Sequence, residues 1–257
     1  MMTTILKNLD FYISLLKRVL AYHFTELENF SPKTQQLIVI EIGDNKKEKE
    51  FNDLLKYYCN SIGFPMSVYW YPDNISEEEL FQEIEDLQEF CAGLVLPSVL
   101  PDHLDASRLA AAIRPDKDVC GLRKDSDFDP PMAMGILQYL KYCGFEFEGK
   151  DVVIIGRGNR VGKPLAARLI DEHATVTVCH SKSRLPSHIY HCDLIICATG
   201  NEKVLDCAGI NVPVITVGKT GSCYNVKDKE VVTVTDSIMA TAILDNVIRS
   251  CSNNDDI

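Results

Sequence analysis

Short uninterrupted apolar runs alternate along the chain with longer stretches in which apolar residues return every three or four positions. The short runs are residues 37–42 (LIVIEI), 68–71, 93–96 (GLVL), 152–155 (VVII), 174–179, 194–198 (LIICA), 214–217 (VITV) and 231–235. Most are rich in β-branched side chains and too short for helices, which predicts strands buried on both faces of a parallel sheet. The longer stretches predict helices. Ile5, Leu9, Tyr12, Ile13, Leu16, Val19 and Leu20 set a helical period over about residues 4–28, and further helices are expected over 47–61 (ended by Gly63), 76–90 (capped by Ser76), 108–113, 132–143, 165–172 and 237–250. Strand and helix in alternation imply an α/β protein whose ligands gather at the carboxyl ends of the strands. The polar run 123–131 (RKDSDFDPP) reads as a linker, so the 257 residues divide into two domains.

Composition narrows the functional classes. A formal net charge of −11, with no long Lys/Arg cluster, argues against nucleic acid as a partner. The acidic run 76–89 and the Asp255–Asp256 tail read as a solvated helix face and a frayed end. Lys7, Asp10, Lys17 and Arg18 interrupt the apolar N-terminal stretch, so neither a membrane span nor a signal peptide is expected. The ten cysteines form no C-x-x-C pair and no metal-ligand spacing, and several sit inside apolar runs. That pattern suits reduced, buried thiols in a cytoplasmic setting, an organellar one being left open, and no metal.

The densest chemistry lies in residues 149–164, GKDVVIIGRGNRVGKP. After the strand, Gly156 and Gly158 have the spacing of a dinucleotide fingerprint, where a missing Cβ allows a tight turn and close approach to a pyrophosphate. Val161 stands where the third glycine is usual, and Gly162, one residue later, would let the next helix sit close to the strand. The freed amides of that helix attract negative charge. Where NAD-binding proteins carry an acid after the second strand, this chain has His180, Ser181, Lys182, Ser183 and Arg184. With Arg157, these donors suit a 2′-phosphate, so the cofactor expected is NADP rather than NAD.

The segments together resemble the methylenetetrahydrofolate dehydrogenase/cyclohydrolases of the FolD type. The residues that carry the resemblance are GD at 43–44, IGF at 62–64, GLV at 93–95, RPDKDV at 114–119, GRGNRVGKP at 156–164, ATVTVCHSKS at 174–183, CDLIICATGN at 192–201 and VG at 217–218. The resemblance implies a catalytic lobe over residues 1–122 completed by helix 237–250, a Rossmann-like NADP lobe over 132–236, a folate cleft between them, and a homodimer. It carries cofactor-binding roles to Gly156, Arg157, Gly158, Arg160, Val161, His180, Ser181, Thr199, Gly200 and Gly218. The family oxidises methylenetetrahydrofolate by hydride transfer to the nicotinamide and then hydrolyses the methenyl product.

The groups the family uses on folate are altered here. Phe51 stands at the tyrosine of its Y-V-x-x-K motif and Leu55 at the lysine, Pro97 replaces the glutamine of V-Q-L-P-L-P, and Cys120 the aspartate of K-D-V-D-G-F. Gly158 replaces a usual serine and Lys219 a usual apolar residue. Neither leucine nor phenylalanine offers a proton-handling group. Lys56 and Cys120 are the candidate substitutes, although Lys56 is rotated from the expected position by about 100 degrees on a helix. Each lost polar contact costs on the order of 2 to 4 kcal/mol of transition-state stabilisation. The expectation is an NADP-dependent dehydrogenase-like protein without cyclohydrolase activity, or a pseudoenzyme that keeps the nucleotide site as a sensor or assembly surface.

Overall fold

The computed structural model describes residues 6–27, 30–218, 222–227 and 229–253. The helix ends expected at residues 4, 5 and 28, the replacement at Lys219 and the tail at 255–256 lie outside the described residues. The chain forms two compact units, residues 14–131 with 239–253 and residues 6–13 with 132–238.

The first unit is built on a parallel sheet of three strands. In chain order its elements follow α1 (Leu9–Thr25), which also supplies residues to the second unit: β1 (Gln36–Ile42), α2 (Lys46–Ile62), β2 (Met66–Tyr71), α3 (Glu77–Leu87), β3 (Cys91–Val95) and α4 (Ala106–Ala112). The order in the sheet is β2-β1-β3. Leu37, Ile38, Val39 and Ile40 of the central strand are at most 1% exposed, as a strand covered on both faces requires. Each such side chain contributes about 1.5–3 kcal/mol by leaving water. The helices start where the sequence offers a cap. Asn45 accepts from the Lys47 and Glu48 amides, and Ser76 and Glu79 form a reciprocal capping box; α2 ends at Gly63 in the left-handed conformation, φ 81°.

The second unit contains α5 (Pro131–Cys143) but for its first residue, then β4 (Asp151–Ile155), α6 (Gly162–Asp171), β5 (Thr175–Cys179), α7 (Leu185–Ile189), β6 (Leu194–Cys197), β7 (Leu205–Asp206), β8 (Val214–Val217), β9 (Cys223–Tyr224) and β10 (Val231–Val234). Helix α8 (Asp236–Asn253) follows and ends in the first unit. The main sheet is parallel throughout, in the order β10-β8-β6-β4-β5, and β7 pairs with β9 in a separate two-stranded sheet. Successive strands leave β4 in opposite directions, β5 to one side and β6 to the other. Such a reversal opens a crevice at the strands' carboxyl ends, where ligands of open α/β sheets bind.

The segment 123–131, read from its polarity as a linker, is instead a folded loop of the first unit. Arg123 donates through Nη1 to the carbonyls of Ala111 (2.6 Å) and Ile113 (3.0 Å), and its Nε and Nη2 hold Asp125. Gly121, at φ 58°, brings the preceding chain so close to this loop that a Cβ there would lie 2.6 Å from the Pro130 nitrogen. Asp118 is fully buried beneath it. One carboxyl oxygen accepts the Arg123 amide at 2.8 Å, while Oδ1 has no hydrogen-bond partner. Burial therefore holds this carboxyl above its ordinary value of 3.8, against the opposing backbone bonds, Ser126 and the Arg123 charge.

A carboxyl whose pKa is raised by folding binds its proton more tightly in the native state. Nothing is lost while both states are protonated; as pH rises past 3.8 the unfolded chain ionises first, and stability falls until the native carboxyl also ionises. Asp118→Asn is expected to flatten this decline in urea midpoints measured from acid to neutral pH. An unchanged slope would mean that Asp118 is not the group responsible.

Candidate functional site

The carboxyl ends of β4, β5, β6 and β8 lie at one edge of the second unit's sheet. Ile155 pairs with Cys179 on one side and with Cys197 on the other, so the loops beginning at Gly156, His180 and Ala198 leave the sheet side by side. The Gly156 amide donates to the Cys179 carbonyl at 2.9 Å, and the Ala198 amide to the Ile155 carbonyl at 2.8 Å. Gly156 has φ 122°, and a Cβ on it would meet the Ala198 carbonyl oxygen at 2.2 Å. Only glycine fits that turn. A Cβ on Gly162 would lie 2.1 Å from the Gly156 carbonyl oxygen, so the start of α6 is pressed against the β4 turn. Gly158 has no heavy atom within 4 Å of its Cβ position and is exposed, leaving room for a ligand to approach its backbone.

Helix α6 begins at Val161 without a side-chain cap. Lys163 donates its amide to the Gly158 carbonyl at 3.1 Å and Pro164 has none, which leaves the Gly162 amide to face an anion, reinforced by the helix dipole. Arg157 and Arg160 are exposed and Val161 half-buried in the loop before it. The loop after β5 braces itself: Ser183 Oγ accepts the His180 amide at 3.0 Å, and His180 Nδ1 accepts the Lys182 amide at 3.1 Å, while Ser181 remains exposed. After β6, Thr199 Oγ1 accepts the Asn201 amide at 3.1 Å beside the exposed Gly200. Gly218, at φ 94°, follows β8 and donates to the Val234 carbonyl at 3.1 Å. A crevice closed by glycines, an uncapped helix start and a cationic, hydroxyl-bearing loop without a carboxylate fit a phosphorylated dinucleotide.

The first unit has its own cluster at the carboxyl ends of β1 and β3. The buried face of α2 carries Glu48, Asn52, Leu55, Tyr58, Cys59 and Ile62. Leu55 is 0% exposed, Phe51 one turn earlier is half-buried, and Lys56 faces solvent. Pro97 is buried two residues beyond β3, and Cys120 is half-buried at the Gly121 turn. Four polar residues went unnoticed in the sequence. Glu48, 9% exposed, accepts from the Ser98 amide at 3.1 Å and from the Ser98 hydroxyl, and Asn52 Nδ2 donates to Glu41 Oε2 at 3.1 Å. The available signal was Glu48 and Asn52 at i and i+4 with Leu55 and Cys59, polar residues on an otherwise apolar helical stripe. Among the described residues, no group of three or more His, Cys, Asp and Glu side chains is placed to hold a metal ion, and no helix is long and apolar enough to cross a membrane.

Family comparison reaches both units. Residues 14–119 match the catalytic domain of tetrahydrofolate dehydrogenase/cyclohydrolase, and residues 130–242 match its NAD(P)-binding domain. The bifunctional protein FolD of Burkholderia multivorans is 33% identical over 196 residues, 71% of this chain and 69% of that one. The chain belongs to the tetrahydrofolate dehydrogenase/cyclohydrolase family. A second relative, FolD of Lachnoclostridium phytofermentans, is 34% identical over 185 residues, 67% of this chain and 66% of that protein's length. The crystal structure of the bifunctional FolD enzyme from Campylobacter jejuni superimposes with a TM-score of 0.86 at 27% identity, covering 95% of this chain and 96% of that one. The two-domain α/β fold with parallel sheets is that of the FolD enzymes.

Proposed function

We propose that this family member binds NADP through Gly156, Arg157, Gly158, Arg160, Val161, His180, Ser181, Thr199, Gly200 and Gly218, and that it acts as a dehydrogenase-like protein on methylenetetrahydrofolate without the family's cyclohydrolase step. Bound nicotinamide supplies the hydride acceptor. The chain's part is to hold the pyrophosphate against the Gly156 turn and the Gly162 amide at the start of α6, and the 2′-phosphate near Arg157 and the His180–Ser181 loop. In this reading residues 1–122 with 237–250 serve the folate side and residues 132–236 the nucleotide.

The observation that carries the second half is Leu55. It occupies the lysine position of the family motif and is completely buried, so that position presents neither a proton donor nor a charge. Phe51, Pro97 and Cys120 remove three more polar groups, and this set favours a second reading, a nucleotide-binding pseudoenzyme.

One pair of assays separates the readings. Titration of the protein with NADP is expected to show saturable binding, tighter than with NAD. The protein is then given methylenetetrahydrofolate with NADP, and in parallel methenyltetrahydrofolate. NADPH formation without methenyl hydrolysis supports the dehydrogenase; binding without NADPH leaves the pseudoenzyme; hydrolysis at rates typical of the bifunctional relatives would refute both.

The homodimer is proposed on β2. This strand lies at the sheet edge, with Val68, Tyr69 and Trp70 exposed by 41%, 37% and 58%. An open edge bearing large apolar side chains pairs readily with its own copy. Val68→Lys is expected to shift the sedimentation coefficient from dimer to monomer, and an unchanged dimer would rule this edge out.

A further inference from the structure

Three of the ten thiols meet in the second unit. Cys197 ends β6, Cys207 follows β7 and Cys223 opens β9. The β7–β9 pairing sets Leu205 opposite Cys223, and the Cys207 amide extends the ladder to the Tyr224 carbonyl at 2.9 Å. Side chains two apart on a strand share a face, so Cys207 projects to the same side as Leu205 and its partner Cys223. All three sulfurs belong to one apolar cluster with Val153, Ile155 and Ile195, and the Cys223 thiol is hydrogen-bonded to both Cys197 and Cys207.

A thiol buried by itself is inert. Burial pushes Cys59 and Cys91 up to about 12 and Cys192 to about 11. Cys197 moves the other way, held below its ordinary value by the hydrogen bond from Cys223, while that same bond holds Cys223 above its own and burial pushes Cys207 up to about 12. Cys223 is 9% exposed against 0% for its two neighbours, which makes it the sulfur of the three that a small oxidant reaches first. It also sits in a sheet with only two residues per strand, a segment that opens locally at low cost.

We propose that Cys223 is a reversible disulfide site, closing on Cys197 or Cys207 when a hydroperoxide oxidises it. One proton leaves the contacting pair to water and the charge rests on Cys197; Cys223 becomes the thiolate as its proton passes along the hydrogen bond to Cys197. The Cys223 thiolate attacks the distal peroxide oxygen; the O–O bond breaks, the alcohol leaves with a proton, and a sulfenic acid forms. The neighbouring sulfur then attacks that sulfenic sulfur, and the S–S bond forms as hydroxide leaves and takes up the remaining thiol proton as water. Two thiols are oxidised, and one hydroperoxide is reduced to alcohol and water. The bond pins β9 to the end of β6 or to β7. Ser222, just before Cys223, already donates through its hydroxyl to the Thr199 carbonyl at 3.3 Å, so the staple lies beside the turn that follows β6.

The test treats the full chain with tert-butyl hydroperoxide, alkylates during denaturation, digests without reduction and maps the peptides by mass. The expected result is a peptide joining Cys223 to Cys197 or Cys207, two hydrogens lighter than the sum of its parts and lost on dithiothreitol treatment. Cys59, Cys91 and Cys192 are expected to stay alkylated. In Cys223→Ser the linked peptides should vanish; if that variant does not fold, the wild-type map decides. A link that omits Cys223, or Cys223 recovered only as thiol, sulfinic or sulfonic acid, would overturn the proposal. Because the map reads the covalent bond itself, its outcome is independent of nucleotide binding.

Discussion

Gly162→Ala is expected to abolish nucleotide binding and to cost the second unit on the order of 3 kcal/mol, the upper end of overpacking costs. The added methyl would stand 2.1 Å from the Gly156 carbonyl oxygen, 2.8 Å from its carbon and 3.1 Å from Arg157 Cα. All three are backbone atoms, so no side-chain rotation relieves the clash. The start of α6 must withdraw from the β4 turn, taking with it the residue-162 amide proposed to meet the pyrophosphate. Gly158→Ala is the control, because its Cβ meets nothing within 4 Å. That variant should keep its urea midpoint to within about 0.5 kcal/mol while losing NADP affinity, since the methyl occupies the ligand's path. Wild-type stability and binding in Gly162→Ala would mean that the helix does not approach the turn as described.

Leu55→Lys is expected to destabilise the first unit by several kcal/mol rather than to restore the family's chemistry. A fully buried leucine is replaced by an ammonium group that the interior leaves unsolvated. Truncation alone, Leu55→Ala, should cost about 2–5 kcal/mol. The lysine variant adds a signature that truncation lacks. Burial lowers the lysine's folded pKa, so its penalty should ease as pH rises toward the lysine range. Lys56→Ala, on the exposed side of the same helix, should change stability by no more than about 0.5 kcal/mol. A stable Leu55→Lys protein that gains methenyl hydrolysis would show that this position faces an open site, and the case for a lost cyclohydrolase would fall.

The strands and helices that position both sites were legible because their signals are local. Apolar runs such as 152–155 and 194–197, the Ser76 capping box and the glycines after β4 each announce a conformation within a few residues. Long-range causes were not legible. The run 123–131 reads as a linker because its polar residues have no partner nearby in sequence, yet Arg123 finds the carbonyls of Ala111 and Ile113. Strands β7 and β9 are two residues long and lie 18 positions apart, too short for any periodicity to register. Helix α7, five residues with a proline in its first turn, escapes for the same reason. In the first unit, the positions Phe51, Leu55, Pro97 and Cys120 could be singled out by comparing motifs. The bonds from Glu48 to Ser98 and from Asn52 to Glu41 required the fold to bring β1, β3 and α2 together.

The last helix completes the unit that the chain began. Asn246 donates to the Val119 carbonyl at 2.9 Å, and a Cβ on Gly93 would collide with Val247 at 2.8 Å, so α8 is packed into the first unit's interior. During synthesis, that interior stays open until residues 239–253 have left the ribosome, whereas residues 132–238 emerge earlier and with their partners at hand. Nascent chains arrested before α8 should therefore expose the apolar surface around Gly93 and Val119 to chaperones.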